Sequence, residues 1–185
     1  SEENFKLVKN AGLNIVRNNT EFPFTDESMT EETAEYKQFK ADVKLYAAHG
    51  IGTLGLFMNP GQYMADSEGN VSYVRHYPDW MGSYDDDKYY EILAKVAEYI
   101  ACDLKDDITY WQVANEQDLT IFIGDMSHTQ NERWLDVAAR GIKKGNPNAL
   151  CGINLAGSAG GGAEYDENGN KKSIKQGVHP YAKEL

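Results

Sequence analysis

The stretch WQVANEQD (111–118) begins like a buried strand and ends on an amide beside a carboxyl group, Asn115 and Glu116. A carboxyl group held at a strand terminus can give and take a proton, and a neighbouring amide can donate a hydrogen bond to a bound ligand. GLNIVRNN (12–19) has the same form, a short apolar run ending in polar residues, with Arg17 near its end. A guanidinium there can hold and orient a carboxylate. Strict alternation along a strand would send Asn115 and Glu116 to opposite faces. Both can serve one cleft only if the strand end is irregular or bulged. Three further carboxylates, Glu21, Asp118 and Glu164, fall in loops that follow strands, and no motif supports a role for any of them.

The elements that must carry these residues alternate. Residues 2–11 read as the end of a helix, with Gly12 just past it. After the 12–19 strand comes a helix over 30–49, with Tyr36, Phe39, Val43 and Ala47 on one stripe and Gly50 as its stop. IGTLGLFM (51–58) reads as a buried strand, followed by a long polar and aromatic loop to about residue 83. A helix over 84–104 shows Tyr90, Leu93, Ala97, Ile100 and Leu104 at helical spacing, and ITYWQVAN (108–115) is the next strand. Thr129 with Glu132 suggests a capping box for the following helix, and LCGINLAG (150–157) is a fourth strand. VHPYAKEL opens another helix. Trp111 belongs to the core on the helix side.

Strands alternating with long amphipathic helices imply βαβ units and a parallel sheet, either doubly wound or closed as a (β/α)8 barrel. The loops after the strands are long and those before them short, so function sits at the strand C-termini. No G-x-G-x-x-G follows a strand, and GSAGGGAEY (157–165) lacks the Lys and Ser/Thr of a phosphate loop, so the nucleotide-binding version loses ground. Each βα unit takes about 40–55 residues, within the range of an elaborated barrel.

Composition narrows the partners. The formal net charge of −11 argues against a nucleic-acid binder, which needs a basic face. No apolar run approaches the roughly 20 residues of a membrane span. SEENFKLVKN has no signal-peptide pattern. Cys102 and Cys151 lack metal-ligand spacing and read as two buried free thiols. The four histidines do not approach H-E-x-x-H spacing, which argues against zinc. DENGNKKS (166–173) has Lys171 where a calcium loop needs Gly, and it reads, like DSEGNVS (66–72), as a polar turn between short strands.

The motif W-x-V-x-N-E in ITYWQVANEQ resembles the fourth-strand signature of the clan A glycoside hydrolases. LVKNAGLNIVRNN (7–19) resembles their first helix and second strand, where the Arg of a G-x-N-x-V-R pattern lines the active site. The resemblance implies a retaining (β/α)8 TIM barrel, of which residues 1–185 would form a partial catalytic domain carrying about half, the second to fifth strands. It implies cleavage of O-glycosidic bonds in a β-linked oligo- or polysaccharide, with no cofactor, and it favours a secreted or periplasmic location. Glu116 would be the catalytic general acid/base, while Asn115 would donate a hydrogen bond to a sugar hydroxyl and Arg17 would orient the second carboxylate. In the family that nucleophile ends the seventh strand, and no residue here is assigned to it. Some members carry a His after the third strand, where FMNPGQYM offers Asn59, Gln62 and Tyr63 instead. Of the loop aromatics, Tyr63 and Trp80 are the candidate sugar platforms.

Two expectations follow for the chain as a whole. It should either form a homo-oligomer or belong to a longer polypeptide, because four strands of a barrel expose apolar edges. Its partner should be a carbohydrate rather than a nucleic acid or a membrane. The competing readings are a non-catalytic carbohydrate-binding or scaffold half-barrel, and an unrelated parallel α/β enzyme in which Glu116 is some other base. On the plainest reading Glu116 caps a helix and Arg17 bridges to a structural acid.

Overall fold

A computed structural model describes residues 2–156. The chain runs α1 (Glu2–Asn10), β1 (Ile15–Asn19), α2 (Ala34–Ala48) and β2 (Gly52–Phe57), then an antiparallel hairpin of β3 (Gly61–Ala65) and β4 (Val71–Arg75). A 3₁₀ turn (Asp79–Met81) leads into α3 (Asp87–Asp103), β5 (Tyr110–Val113), α4 (Thr120–Ile123), α5 (His128–Gly145) and β6 (Leu150–Gly152). Strands β1, β2, β5 and β6 lie side by side in that order, all parallel. This is the expected alternation, and it is the layout of part of an α/β barrel.

Register decides which residues share a face. Arg17 pairs with Leu54, Leu54 with Tyr110 and Tyr110 with Leu150; one step of two residues further on, Asn19 pairs with Leu56 and Leu56 with Gln112. Because side chains alternate along a strand, these rows all point to one side of the sheet. Gly55, Phe57, Trp111 and Val113 point to the other, where they meet α3 and α5. Trp111 is 1% exposed and joins Phe57, Leu93, Ile100, Trp134 and Ile142 in the core, as expected for a residue on the helix side. Each such side chain contributes about 1.5–3 kcal/mol by leaving water. A Cβ at Gly55 would stand 2.7 Å from the Trp111 ring, so the indole lies directly on β2 only because that residue has no side chain.

Helices α3 and α5 pack closely, and glycines permit it. A Cβ at Gly141 would be 2.8 Å from the Ala94 carbonyl oxygen, and one at Gly145 would be 2.9 Å from the Cys102 amide nitrogen. On the far face of the sheet the pattern reverses. Ile15, Tyr110 (53% exposed) and Leu150 (56% exposed) stand open there.

Several local expectations change. The helix after β5 is capped by Ser127 rather than Thr129. Ser127 Oγ accepts from the Gln130 amide at 3.2 Å, and Gln130 Oε1 accepts from the Ser127 amide at 2.7 Å. The reciprocal box therefore starts two residues earlier than Thr129 and Glu132 suggest, and it satisfies two amide donors at the helix start. Cys102 and Cys151 are free but not buried, since Cys102 is exposed off the apolar stripe of α3 and Cys151 is half-buried. The turn expected at 66–72 is present, with Asp66 Oδ1 accepting from the amides of Glu68 and Asn70, each at 2.9 Å. The Gly-rich 157–165 loop, Glu164, the 166–173 turn and the VHPYAKEL helix lie outside the described residues.

Candidate active site

Strand β5 ends irregularly. Ala114 and Glu116 both have left-handed backbones, with φ of +62° and +49°, and they flank Asn115. For residues with a side chain this conformation costs about 1–2 kcal/mol each, so it persists only where surrounding bonds hold it. The expected irregular strand end is therefore present, as two left-handed residues.

The bonds that hold it come from β5 itself and from β1 and the ends of β2 and β6. Asn59, just after β2, grips the Asn115 peptide on both sides: its Oδ1 accepts from the Asn115 amide at 2.6 Å, and its Nδ2 donates to the Asn115 carbonyl at 3.2 Å. Gln112 Nε2 donates to the Ala114 carbonyl (2.9 Å), to Asn115 Oδ1 (3.2 Å) and to Asn154 Oδ1 (2.6 Å). Asn154, just after β6, also accepts from the Glu116 amide through Oδ1 at 3.1 Å and donates from Nδ2 to Asn115 Oδ1 at 3.3 Å. Arg17 Nη1 completes the cluster, donating to Gln112 Oε1 at 3.2 Å and to Asn115 Oδ1 at 3.1 Å. Asn115 Oδ1 thus faces three donors. The opposite end of that amide, Nδ2, has no partner among the described residues and is available to a ligand.

Beside this strand end lies a cleft of about 420 Å³, lined by Arg17, Glu21, Phe22, Asn59, Gln62, His76 and Asn115 among others. Its lining is mixed, with donors and acceptors beside the apolar surfaces of Phe22, Leu56, Met58 and Phe122, as ligand clefts usually are. Glu21 is largely exposed at the rim, yet partial burial of its carboxyl and the nearby Glu35 hold it above its ordinary 4.5. His76 Nδ1 lies 3.1 Å from the Asn59 carbonyl oxygen, and burial pushes its imidazole below its ordinary 6.5.

The structure brings Arg17 and Asn115 together on one wall, although they are 98 positions apart in sequence. Glu116 is half-buried next to them with its backbone fixed by Asn154, and its side chain does not contribute to the cleft lining described above. Arg17 meets two amides rather than a carboxylate. Asp118 is buried, and its Oδ1 accepts from the Ala156 amide at 2.9 Å, a tie between the loops after β5 and β6. Tyr63 and Trp80 are not in the cleft. Tyr63 packs on Tyr73 across the hairpin, with ring centroids 5.4 Å apart, and Trp80 packs against Phe22 at 5.7 Å. Phe22 and Phe122 are the phenylalanines that reach the cleft, and Phe22 is backed by Trp80 and Tyr77.

Gln112, Asn154 and His76 escape the sequence reading. Gln112 and Asn154 carry a usable signal, because polar side chains at the ends of buried parallel strands point to the ligand side. His76 carries none, since it closes a short hairpin within a long loop.

No protein-family model and no curated protein sequence matches the chain. Solved structures do. The endoglucanase Cel5A of Thermotoga maritima aligns with 84% of this chain and 44% of its own, at 16% identity and a TM-score of 0.56. The GH53 catalytic domain of Ignisphaera aggregans aligns with 83% of this chain and 44% of its own, at 20% identity and a TM-score of 0.59. A beta-glucosidase of Thermotoga maritima, solved with deoxynojirimycin, gives 83% and 36%, at 11% identity and a TM-score of 0.57. The chain therefore spans less than half the length of these structures. At such identities the likeness establishes the fold, and that fold is part of the (β/α)8 barrel shared by the clan A glycoside hydrolases.

Proposed function

We propose that the chain carries the acid/base side of a retaining glycoside hydrolase acting on the O-glycosidic bonds of a β-linked oligo- or polysaccharide. The observation that supports this most directly is the strand end itself. Two left-handed residues and a four-residue polar cluster hold Asn115 with its Nδ2 available beside a cleft, and Glu116 is the next residue. In the reaction, the Glu116 carboxyl gives its proton to the glycosidic oxygen as a second carboxylate attacks the anomeric carbon and the C–O bond breaks. The resulting Glu116 carboxylate then takes a proton from water, which displaces the second carboxylate and regenerates the acid. Asn115 Nδ2 donates to a hydroxyl next to the reacting carbon. Arg17 keeps the amide cluster aligned and supplies positive charge to the second carboxylate.

The test is hydrolysis of a panel of aryl β-glycosides by the full chain. Glu116→Gln should abolish turnover. Glu116→Ala should keep slow turnover of glycosides with good leaving groups, and azide should accelerate it, because a small anion can attack where the base for water is missing. Unchanged rates in both variants would remove Glu116 from the mechanism. A second reading, a carbohydrate-binding protein without turnover, draws support from the position of the Glu116 side chain outside the cleft lining. It predicts oligosaccharide binding by the parent chain with no hydrolysis of any glycoside.

A further inference from the structure

The β3–β4 hairpin brings two side chains into the cleft that the acid/base chemistry does not use, Gln62 and His76, and His76 is the one held on every side. His76 follows the last residue of β4, and its surroundings fix it closely. Its amide donates to the Pro60 carbonyl at 3.0 Å. The residue before it, Arg75, donates from Nη2 to the Gly82 carbonyl at 2.7 Å and lies over the Tyr84 ring at 5.1 Å. The residue after it, Tyr77, is buried and donates its hydroxyl to the Met58 carbonyl at 3.1 Å. The imidazole is tied by Nδ1 to the carbonyl of Asn59, the residue whose side chain grips Asn115.

That tie decides the chemistry of the ring. A carbonyl oxygen only accepts, so Nδ1 carries the proton, and a neutral imidazole then has an unprotonated Nε2 that accepts hydrogen bonds. Burial favours the neutral form near pH 7. Glu21, Glu35 and Arg75 are the charged side chains around the same wall, and Arg17 shares the cleft. Donors dominate at the Asn115 end, so a group that accepts from a hydroxyl adds a different specificity. Phe22 borders the same cleft, and its ring plane is set by edge contacts with Tyr77 at 81° and Trp80 at 71°. A fixed aromatic ring beside a hydroxyl acceptor suits a pyranose, which has an apolar C–H face and a rim of O–H donors.

We propose that the β3–β4 hairpin adds a saccharide subsite to the cleft, in which His76 Nε2 accepts from a sugar hydroxyl while the apolar face of that sugar lies on Phe22. This rests on the glycoside-hydrolase reading for the class of ligand, and it assigns His76 to binding rather than to bond cleavage.

Calorimetric titration of the full chain with cello- and manno-oligosaccharides of increasing length tests it, using two variants that separate the ring nitrogens. His76→Asn keeps a donor at the Nδ1 position for the Asn59 carbonyl and removes Nε2. His76→Gln places its amide at the Nε2 position. The Asn variant should bind the best oligosaccharide about tenfold more weakly, the value of roughly one hydrogen bond, while the Gln variant stays within about threefold of the parent. Both variants should unfold as cooperatively as the parent. An Asn variant that binds like the parent overturns the subsite. So does a Gln variant that is the weaker of the two, since the tie to Asn59 would then be what matters. A parent that binds none of these oligosaccharides overturns the glycoside-hydrolase reading and the subsite with it, an outcome distinct from tight binding that is insensitive to His76.

Discussion

Replacing Asn154 by alanine asks whether the strained strand end is held from β6. Three bonds are lost: the 2.6 Å bond from Gln112, the 3.1 Å bond from the Glu116 amide and the 3.3 Å contact to Asn115 Oδ1. Their consequences differ. Gln112 Nε2 still has the Ala114 carbonyl at 2.9 Å and Asn115 Oδ1 at 3.2 Å, so its loss is small. The 3.3 Å contact is long, and Asn115 Oδ1 keeps Arg17 and Gln112 as donors. The Glu116 amide loses its acceptor. A hydrogen bond of this kind is worth about 1 kcal/mol net, and it works against a left-handed strain of about 1–2 kcal/mol at the same residue. Releasing it should reduce the fraction of chains with Glu116 in its present backbone geometry by about fivefold, since about 1.4 kcal/mol is one decade. On the proposed reaction, kcat in an aryl β-glycoside assay should fall about fivefold, with KM changed less than about twofold, because the loss would concern placement of the acid and not ground-state binding. Urea unfolding should show a stability loss of about 1 kcal/mol. Asn154→Asp retains both acceptor roles of Oδ1 and should keep most of the rate. An alanine variant with undiminished kcat, or with a raised KM alone, refutes the reasoning.

Gly145→Ala should destabilise the fold by about 1–3 kcal/mol, because the new methyl meets the backbone of α3 at Glu98 and Cys102, which cannot rotate away; an unchanged urea midpoint would show that the two helices have slack. His76 gives stability a pH dependence of definite sign. Its pKa in the fold lies below the ordinary 6.5, so it contributes stability above that pH and loses it as the pH falls through the lower folded value. Unfolding measured at about pH 7.5 and about pH 5.5 should show a smaller loss in His76→Gln than in the parent, and identical losses would contradict the burial argument.

Much of the scaffold is legible in the sequence because it rests on local periodicity. The stripes of Tyr36, Phe39 and Val43 in α2 and of Leu93, Ala97 and Ile100 in α3 repeat at helical spacing, and the same residues are buried in the fold. The apolar runs of β1 and β5 each lead into polar residues, which is enough to mark Arg17, Asn115 and Glu116 as belonging to one end of a parallel sheet. Glycines 12 and 50 end their helices with φ of +77° and +69°, a role that residue type alone announces. The aromatic platform is another matter. Trp80 and Phe22 are both loop aromatics in the sequence, and only packing shows that one backs the other and that Phe22 reaches the cleft.

The residues that shape the site lie far apart in sequence: Asn59 grips Asn115 across 56 positions, Asn154 holds Glu116 across 38, and Arg17 reaches Asn115 across 98. No repeat length connects them. What joins them is the register of four parallel strands, which sets Gln112 beside Asn154 and carries the ends of β1 and β2 to the same rim. Residue types along the chain determined the elements and the polar strand ends. The left-handed turn at Glu116, the donor face of Asn115 and the presence of His76 in the cleft were decided only when distant side chains met, because each depends on a hydrogen bond whose two halves come from different strands or loops.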